Sequence, residues 1–306
     1  MLNELCFICG SRKTIPYFGA DSRLYQCQEC HTVALASRLR IRDLENYYTS
    51  HEVYRESFQK RENLQAMVDV AHEYLTIISK FITPAYKKLL DVGAGYGVLT
   101  QEASRLGFDA FGIEKNHGLV IEAQKRGINL KAGDPQTLSL NGAFDVISMM
   151  HVLEHLLDPR LAIKKMNAAL VQRGLLVLEV PNIESYLARR HKLSWKYIAL
   201  EHIFYFSPKT FTKLLEEEGF KVLAVTIRNH FIKTLSLRHL FYYIFGTQIT
   251  RDRFLMKERQ DDEQDITVTQ EHFIYRLVKK IIKKILMILI RILKREDFIL
   301  IVARKK

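Results

Sequence analysis

A glycine-rich turn between a short apolar strand and a helix constrains the fold of this chain more than any other feature. Residues Leu89–Val92 predict a buried strand, and Gly93, Gly95 and Gly97 follow before helical spacing begins at Val98. Glycines in such a turn let a ligand approach the backbone, and the following helix presents free N–H groups and the positive end of its dipole. The pattern predicts an α/β protein that binds a ligand at the carboxyl end of this strand.

The glycine spacing excludes the common dinucleotide-binding motif. That motif requires G-x-G-x-x-G, whereas the sequence here is Asp91-x-Gly93-x-Gly95-x-Gly97 followed by valine. A carboxylate just before the glycines suits a ligand with a cationic amino group better than a pyrophosphate. The next predicted strand, Ala110–Glu114, ends in an acid 23 positions after Asp91, where an acid can accept hydrogen bonds from two ribose hydroxyls.

These residues resemble motif I and the ribose-binding acid of class I S-adenosylmethionine (SAM) methyltransferases. In that family an acid after the third strand meets the adenine amino group, and Asp134 stands at that place. The fourth predicted strand, Phe144–Met149, opens onto the same crevice at its carboxyl end. The resemblance therefore implies a SAM site formed by Asp91, Gly93, Ala94, Gly95, Gly97, Glu114, Asp134 and Met149.

Strands and helices alternate through the middle of the chain, which predicts a parallel, doubly wound sheet. In the resembled family the final strand inserts antiparallel beside the sixth, and residues 297–305 match that strand. The predicted fold is thus α/β, a Rossmann-like class I methyltransferase sheet with a small N-terminal zinc ribbon and a helical insertion before the last strand. The predicted segments are a zinc-ribbon-like part at 1–36, a connector and helix at 37–85, the core at 86–228 completed by 297–305, and the insertion at 229–296.

All four cysteines of this 306-residue chain lie within its first 30 residues. They form two C-x-x-C pairs, Cys6 with Cys9 and Cys27 with Cys30, separated by 17 residues. Two such pairs supply the four thiolates of a tetrahedral zinc site, and two disulfides are the alternative. Disulfides are rare in the reducing cytoplasm, which favours zinc binding over two disulfides. Four sulfur ligands fill the tetrahedral coordination shell of the zinc, so we predict a structural Zn²⁺. A segment this short needs the metal to fold.

A histidine-rich segment comes directly after the fourth predicted strand. It contains His151, Glu154 and His155, and a second pair, Glu201 and His202, follows later. These stretches resemble the branch that contains ubiquinone-type O-methyltransferases and methyltransferases of sugar and surface-polysaccharide pathways. Several sugar methyltransferases also carry an N-terminal zinc-binding segment. A hydroxyl acceptor must lose its proton, and histidine titrates nearest neutrality, so we predict His155 and His202 as general bases, with His151 third.

Two other roles for this histidine-rich segment stay open. Small-RNA 3′-terminal methyltransferases bind a metal through an E-x-x-E-H set and a distant histidine, and the matching positions here are His151, Glu154, His155 and His202. A divalent ion there would polarise the acceptor hydroxyl, although histidine replaces glutamate at the first position. Alternatively, Glu154 and His155 only orient the loop and satisfy backbone groups.

Residues 272–295 predict a basic amphipathic helix, with isoleucines and leucines on one side and lysines and arginines on the other. It either lies on an anionic membrane surface or packs its apolar face on the fold or on a second subunit. No apolar run is long enough to span a bilayer, and no signal peptide begins the sequence. We therefore expect a cytoplasmic protein, which associates peripherally with the inner face of the membrane if the first of these two alternatives holds.

Taken together, these patterns predict a SAM-dependent O-methyltransferase acting on a sugar hydroxyl in a glycan or glycolipid pathway. The substrate would be a small-molecule or lipid-linked sugar. RNA methylation is an alternative, because the net charge is +12. However, residues 271–306 alone hold 11 basic and 3 acidic residues, and no aromatic–basic RNA-binding motif is evident, so nucleic acid is the less favoured partner. A SAM-binding or zinc-ribbon adaptor without catalysis is the remaining alternative.

Overall fold

The structure is a computed structural model that describes residues 5–36, 61–135, 143–199, 201–228 and 297–306. The chain divides into two compact units. The first comprises Met1–Pro181, Leu200–Thr226 and Ile299–Lys306, and the second comprises Asn182–Ala199 and Ile227–Phe298. The connector predicted before residue 61 and the basic helix predicted at 272–295 lie outside the described residues.

The described residues form eleven strands. They are β1 (Thr14–Pro16), β2 (Leu24–Cys27), β3 (Val33–Leu35), β4 (Lys88–Val92), β5 (Asp109–Glu114), β6 (Leu130–Ala132), β7 (Phe144–Met150), β8 (Leu170–Pro181), β9 (Phe204–Tyr205), β10 (Phe220–Arg228) and β11 (Phe298–Lys305). Seven of them make a central sheet in the order β10-β11-β8-β7-β4-β5-β6. Strands β4 to β8 run parallel and the last strand is antiparallel, so the predicted Rossmann-like fold class is confirmed.

Within the described parts of the chain, six α-helices connect or flank these strands. They are α1 (Arg61–Ile78), α2 (Val98–Arg105), α3 (His117–Lys125), α4 (Pro159–Ala169), α5 (Tyr186–His191) and α6 (Pro208–Glu217). Short polar side chains determine where several of them begin. The Asn116 side chain accepts hydrogen bonds from two backbone N–H groups in the first turn of α3, and Asp158 caps α4 in the same way. Ser207 forms a capping box at the start of α6. No helix among the described residues is long and apolar enough to cross a bilayer.

The core of the first unit lies between the central sheet and helices α1 and α2. Leu89, Val146, Val177 and Leu300 come from four strands of the sheet and are at most 1 % exposed. The near-continuous apolar runs of these strands are typical of parallel strands covered on both faces. Helix α1 buries Ala71, Tyr74, Leu75 and Ile78 in the same core, at the spacing of one helical face. The parallel pairing of β4 with β5 and with β7 places the carboxyl ends of these three strands next to one another.

A second, four-stranded sheet contains the N-terminal segment, and its order is β1-β2-β3-β9. All its pairings are antiparallel, and β9 joins through Val33 opposite Tyr205 and Ala34 opposite Phe204. The edge strand β9 therefore lies about 170 residues after β3 in the sequence. This pairing places the cysteine-bearing segment beside the residues that follow His202.

In the second unit, the described residues form a small cluster of their own. The Ser185 hydroxyl caps α5 and donates a hydrogen bond to Asp297 at 3.0 Å. The ring of Tyr197 contacts those of Trp195 and Phe298, with centroids 5.2 and 5.1 Å away. These contacts join the 182–199 segment to the start of the last strand.

Candidate active site

The glycine-rich turn connects β4 to α2. Gly93, Gly95 and Gly97 have positive φ angles of 72°, 55° and 73°, which residues with a Cβ adopt at a cost. The intervening Ala94 donates its N–H to a carbonyl of β5 at 3.0 Å. A Cβ at Gly93 would lie 2.3 Å from a methyl carbon of Val152, whereas a Cβ at Gly95 would meet nothing within 4 Å. The turn is therefore packed against the segment after β7 and leaves open space at Gly95, where a ligand can approach.

Asp91 lies near the carboxyl end of β4 and is 4 % exposed. Its carboxylate accepts hydrogen bonds from the Ser148 hydroxyl at 2.9 Å and from the Thr100 hydroxyl at 3.2 Å. Burial raises the pKa of Asp91 to about 6, although these two bonds oppose the rise, and the negative charge of Glu114 adds to it. A cation beside Asp91 would lower this pKa, so the carboxylate is suited to the ammonium group of a ligand.

The second predicted acid, Glu114, ends the neighbouring parallel strand β5. Val92 is in register with Ile113, so the ends of β4 and β5 lie side by side. Gly95 and Asn116 each donate a backbone N–H to the Glu114 carboxylate at 2.9 Å. These two bonds hold the carboxylate beside the glycine turn. Each carboxylate oxygen can accept a further hydrogen bond, as binding of a ribose diol would require.

Asp134 and Met149 are the remaining predicted cofactor residues. Asp134 follows β6, and its Oδ2 lies 3.1 Å from Nζ of Lys115, the residue directly after β5. This ion pair places Asp134 at the same edge of the sheet as the two acids described above. Met149 belongs to β7, is 1 % exposed and is in register with Val92 of β4.

All four residues of the predicted catalytic set lie close together: His151 contacts Glu154, and the other three converge. Glu154 and His155 belong to a single turn of 3-10 helix after β7, and His202 stands two residues before β9. The rings of His155 and His202 are 4.6 Å apart between centroids and meet edge to face. One Glu154 oxygen and one nitrogen of each ring lie within 4.8 Å of one another. The backbone N–H of Ile203 donates to the Glu154 carbonyl at 2.8 Å, which joins the two segments.

The two histidines present nitrogen lone pairs. Nδ1 of His155 lies 3.0 Å from the carbonyl oxygen of Glu201. A carbonyl only accepts, so this contact assigns the N–H to Nδ1 and leaves the lone pair of the neutral ring on Nε2. His202 is 8 % exposed, and burial lowers its pKa to about 4, so its ring is neutral at pH 7. Such nitrogens can accept a proton or bind a metal ion.

His151 carries a different charge. Its Nδ1 lies 3.6 Å from Glu154 and its Nε2 lies 3.1 Å from Glu179. Desolvation would lower the pKa of His151, but Glu154 and Glu179 outweigh it and raise the pKa to about 10. Tyr74 donates its hydroxyl to Glu179 at 2.6 Å and holds that carboxylate in place. His151 is therefore an imidazolium at neutral pH and has no lone pair with which to accept a proton.

Glu154 places a buried negative charge beside the two histidines. It is 1 % exposed, and its carboxylate accepts no hydrogen bond from the part of the chain that the structure describes. Burial favours its protonated form, yet the nearby His151, His155 and His202 hold its pKa below the ordinary value.

Neither Glu179 nor Tyr74 is among the predicted site residues. The position of Glu179 near the end of β8, the strand beside β7, is the sequence signal that could have identified it.

The sequence profile of the methyltransferase domain matches residues 61–225, more than half of the chain. The chain belongs to the methyltransferase family. Its family and fold together make it a SAM-dependent methyltransferase, as the sequence predicts. The matched residues include Asp91, Glu114 and the whole histidine cluster. The N-terminal cysteines lie outside the match.

Individual relatives agree with this assignment. A ubiquinone biosynthesis O-methyltransferase of Coxiella burnetii is 27% identical over 173 residues, which cover 50% of this methyltransferase and 71% of the relative. A SAM-dependent methyltransferase from Archaeoglobus fulgidus superposes with a TM-score of 0.52 at 19% identity, covering 84% of this chain and all of the other. Magnesium protoporphyrin IX methyltransferase from Synechocystis gives 0.53 at 12% identity, covering 87% and 100%. At these identities the two structures show the shared fold.

The four cysteines of this methyltransferase converge on one point. The Cys6 and Cys30 sulfurs are 3.5 Å apart, those of Cys9 and Cys27 are also 3.5 Å apart, and all four lie within 4.8 Å of one another. A tetrahedral zinc site with bonds of about 2.3 Å places its sulfurs about 3.8 Å apart, whereas a disulfide requires about 2.05 Å. The hydrogen bond between Cys6 and Cys30 lowers the pKa of Cys30 and raises the pKa of Cys6, so without a metal this pair shares one proton and carries one thiolate. The donor set is therefore compatible with a structural zinc.

The backbone around each cysteine pair supports the same conclusion. Gly10 and His31 each follow a pair directly and have positive φ angles of 75° and 61°. Their N–H groups donate to the carbonyls of Cys6 at 2.7 Å and Cys27 at 2.9 Å. Each C-x-x-C pair thus closes into a tight turn that directs both of its sulfurs to one side.

Proposed function

We propose that this methyltransferase transfers the methyl group of SAM to a hydroxyl of its acceptor, and that one histidine of the pair His155 and His202 removes the hydroxyl proton. The contact between the two rings, beside a buried carboxylate and on the segment whose Val152 packs against the glycine turn, is the observation that carries this proposal. Nucleophilic attack forms an O–CH₃ bond as the S–CH₃ bond breaks. SAM supplies an activated methyl group, so the protein mainly positions the reactants and accepts one proton.

In this proposal the residues at the strand ends bind SAM. Asp91 would face the amino group of the methionine part, Glu114 would accept the ribose hydroxyls, and Asp134 would meet the adenine amino group. The N–H groups of the turn and the start of α2 add a positive field. His151 and Glu154 would fix the shape and charge of the acceptor side.

We further propose that the acceptor is a sugar hydroxyl, free or lipid-linked. The names of the relatives support a hydroxyl acceptor, and the cysteine-bearing N-terminal segment supports the sugar branch, in which such segments recur.

A structural Zn²⁺ at Cys6, Cys9, Cys27 and Cys30 belongs to the same proposal. Association of the 272–295 segment with the inner membrane surface remains a proposal as well.

Methyl transfer from SAM to defined acceptors tests the function. Purified protein is incubated with unlabelled SAM and with nucleotide sugars, lipid-linked sugars, dihydroxybenzenes or RNA, and products are sought by a mass increase of about 14 daltons per site. The proposal expects a methylated sugar hydroxyl. A methylated phenol would move the assignment to the ubiquinone-type acceptors, and methylated RNA would move it to nucleic acid. Binding of SAM without transfer to any acceptor would favour the adaptor.

A divalent metal at the histidine pair is a second candidate mechanism, favoured by one observation. Glu154, His155 and His202 converge as a carboxylate and two imidazoles, a donor set common at catalytic metal ions. These three residues would hold the ion, which would polarise the acceptor hydroxyl. Dialysis against a chelator tests this mechanism. Under the general-base mechanism, activity survives metal removal, provided that the cysteine-bound zinc is retained.

A further inference from the structure

Two sets of hydrogen bonds connect the cysteine cluster to the histidine pair. The first runs through the four-stranded sheet, where β2 ends at Cys27 and pairs with β3, which pairs with β9. Leu35 donates its N–H to the Ile203 carbonyl at 2.9 Å, and Ile203 donates its own N–H to the Glu154 carbonyl at 2.8 Å. Ile203 directly follows His202. The N-terminal sheet therefore holds both segments that carry the catalytic candidates.

The second connection is the side chain of Arg160. Its Nε donates to the carbonyl of Ile8 at 2.8 Å, and Ile8 lies between the cysteines of the first C-x-x-C pair. The same guanidinium pairs with Glu217 at 2.6 Å and with Glu218. Arg160 is in the first turn of α4, five residues after His155. One planar group thus joins the cysteine turn, the end of α6 and the helix that follows the catalytic segment.

We propose that Arg160 is a positioning residue which, together with the β3–β9 pairing, transmits the metal state of the cysteine cluster to His155 and His202. This inference rests on the proposed role of the two histidines in methyl transfer. Metal binding fixes the turn between Cys6 and Cys9, and the fixed carbonyl of Ile8 fixes the guanidinium. The guanidinium in turn fixes the start of α4 and the single helical turn before it.

The cofactor site has separate supports. Asp91 is held by hydroxyls of β7 and α2, and Glu114 is held by two backbone N–H groups beside the glycine turn. These hydrogen bonds do not pass through the cysteine segment. Disturbing the cysteine cluster or Arg160 should therefore lower kcat while the affinity for SAM or S-adenosylhomocysteine persists.

Substitutions of Arg160 test the connection. Arg160→Gln removes the planar fork, and Arg160→Lys keeps the charge but cannot donate to a carbonyl and two carboxylates in the same plane. Arg105→Gln is the matched control, because it also breaks an arginine–glutamate pair of 2.6 Å, on α2. We expect Arg160→Gln to lower kcat about tenfold to a hundredfold, Arg160→Lys to fall in between, and Arg105→Gln to resemble the wild type.

Two further measurements do not require the acceptor. The rate of zinc release to a colorimetric chelator should rise in Arg160→Gln, because the first cysteine turn loses a support. The imidazole NMR signals of His155 and His202 should shift in Arg160→Gln and on zinc removal from the wild type, while calorimetric binding of S-adenosylhomocysteine stays within about twofold.

These measurements separate failure of this inference from failure of the proposed function. Unchanged histidine signals after both zinc removal and Arg160→Gln would overturn the connection, as would a kcat equal to that of the Arg105→Gln control. A wild type that methylates no acceptor would contradict the proposed function, but zinc release and the histidine signals would still decide the connection. If Arg160→Gln does not fold, Arg160→Lys and zinc removal from the wild type decide it.

Discussion

Replacing Asp91 by asparagine should stabilise the free protein and weaken its binding of the methyl donor. The carboxylate is buried, and burial raises its pKa from 3.8 to about 6. An asparagine has the same shape and no charge; one of the Ser148 and Thr100 hydroxyls can still donate to its amide oxygen, while the other rotates to accept from its amide NH2 group. The variant therefore removes the electrostatic cost of an ionised group in a dry site while leaving the packing unchanged.

The pKa difference gives the size and the pH dependence of this effect. At roughly 1.36 kcal/mol per pH unit, a rise from 3.8 to about 6 corresponds to about 3 kcal/mol. Because the folded-state pKa is raised, the stabilising contribution of protonated Asp91 is fully present below about pH 4 and is lost as the pH rises through about 6. Asp91→Asn should thus exceed the wild type in unfolding free energy by up to about 3 kcal/mol at pH 8 and by about half as much at pH 5.

Thermal and urea unfolding at pH 5 and pH 8, each with and without S-adenosylhomocysteine, measure this effect. Without ligand the variant should melt several degrees higher at pH 8. With saturating ligand the wild type should gain most, because a ligand that binds only the folded state stabilises it according to its affinity. Asp109→Asn is the control, since Asp109 is exposed at the other end of β5. Equal stability of Asp91→Asn and wild type at pH 8, or equal ligand affinity, would refute the reasoning.

Three further predictions concern the histidines, the metal and the turn. His155→Gln and His202→Gln should each lower kcat by roughly 10²- to 10⁴-fold with unchanged calorimetric affinity for S-adenosylhomocysteine; full turnover in both would exclude the base and the metal roles alike. The purified protein should contain one Zn²⁺ per chain by elemental analysis, and Cys9→Ser should lose it and melt lower. Gly97→Ala should cost about 1–3 kcal/mol in urea unfolding, because its Cβ would lie 2.9 Å from Ile128 at a φ of 73°; no loss of stability would show that the turn relaxes freely.

Local patterns in the sequence were sufficient to predict the central sheet and its glycine turn. The apolar run before Gly93 and the acid at position 114 can each be recognised from the residues next to them in the sequence. Because the ends of parallel strands meet at one edge of a sheet, these two signals also predicted that the two sites lie side by side. The convergence of the four cysteine sulfurs could be predicted as well, because each C-x-x-C pair is a local pattern in the sequence. Helix ends do not follow from local patterns in the same way: the segment predicted as connector and helix extends to residue 85, whereas its helix ends at Ile78 and single hydrogen-bonded turns follow.

Features that depend on distant partners could not be predicted from the sequence. The two-residue strand β9 has no periodicity of its own and exists because β3 offers an edge about 170 residues away. The positive charge of His151 depends on Glu179, which the register of β7 and β8 places beside it. Such pairings follow from tertiary packing, which local propensity does not contain.

The interior place of β11 in the central sheet has a consequence for how this protein folds. Strand β10 reaches the other strands only through β11, and residues 229–297 separate the two in the chain. Folding must therefore close a long loop before the sheet is complete, which makes this step slow. The equilibrium cost depends weakly on loop length, at about 0.6 kcal/mol per doubling. The separation of the two strands in the chain therefore slows their pairing much more than it weakens the completed sheet, and a chain truncated before β11 would leave β10 without its neighbour in the sheet.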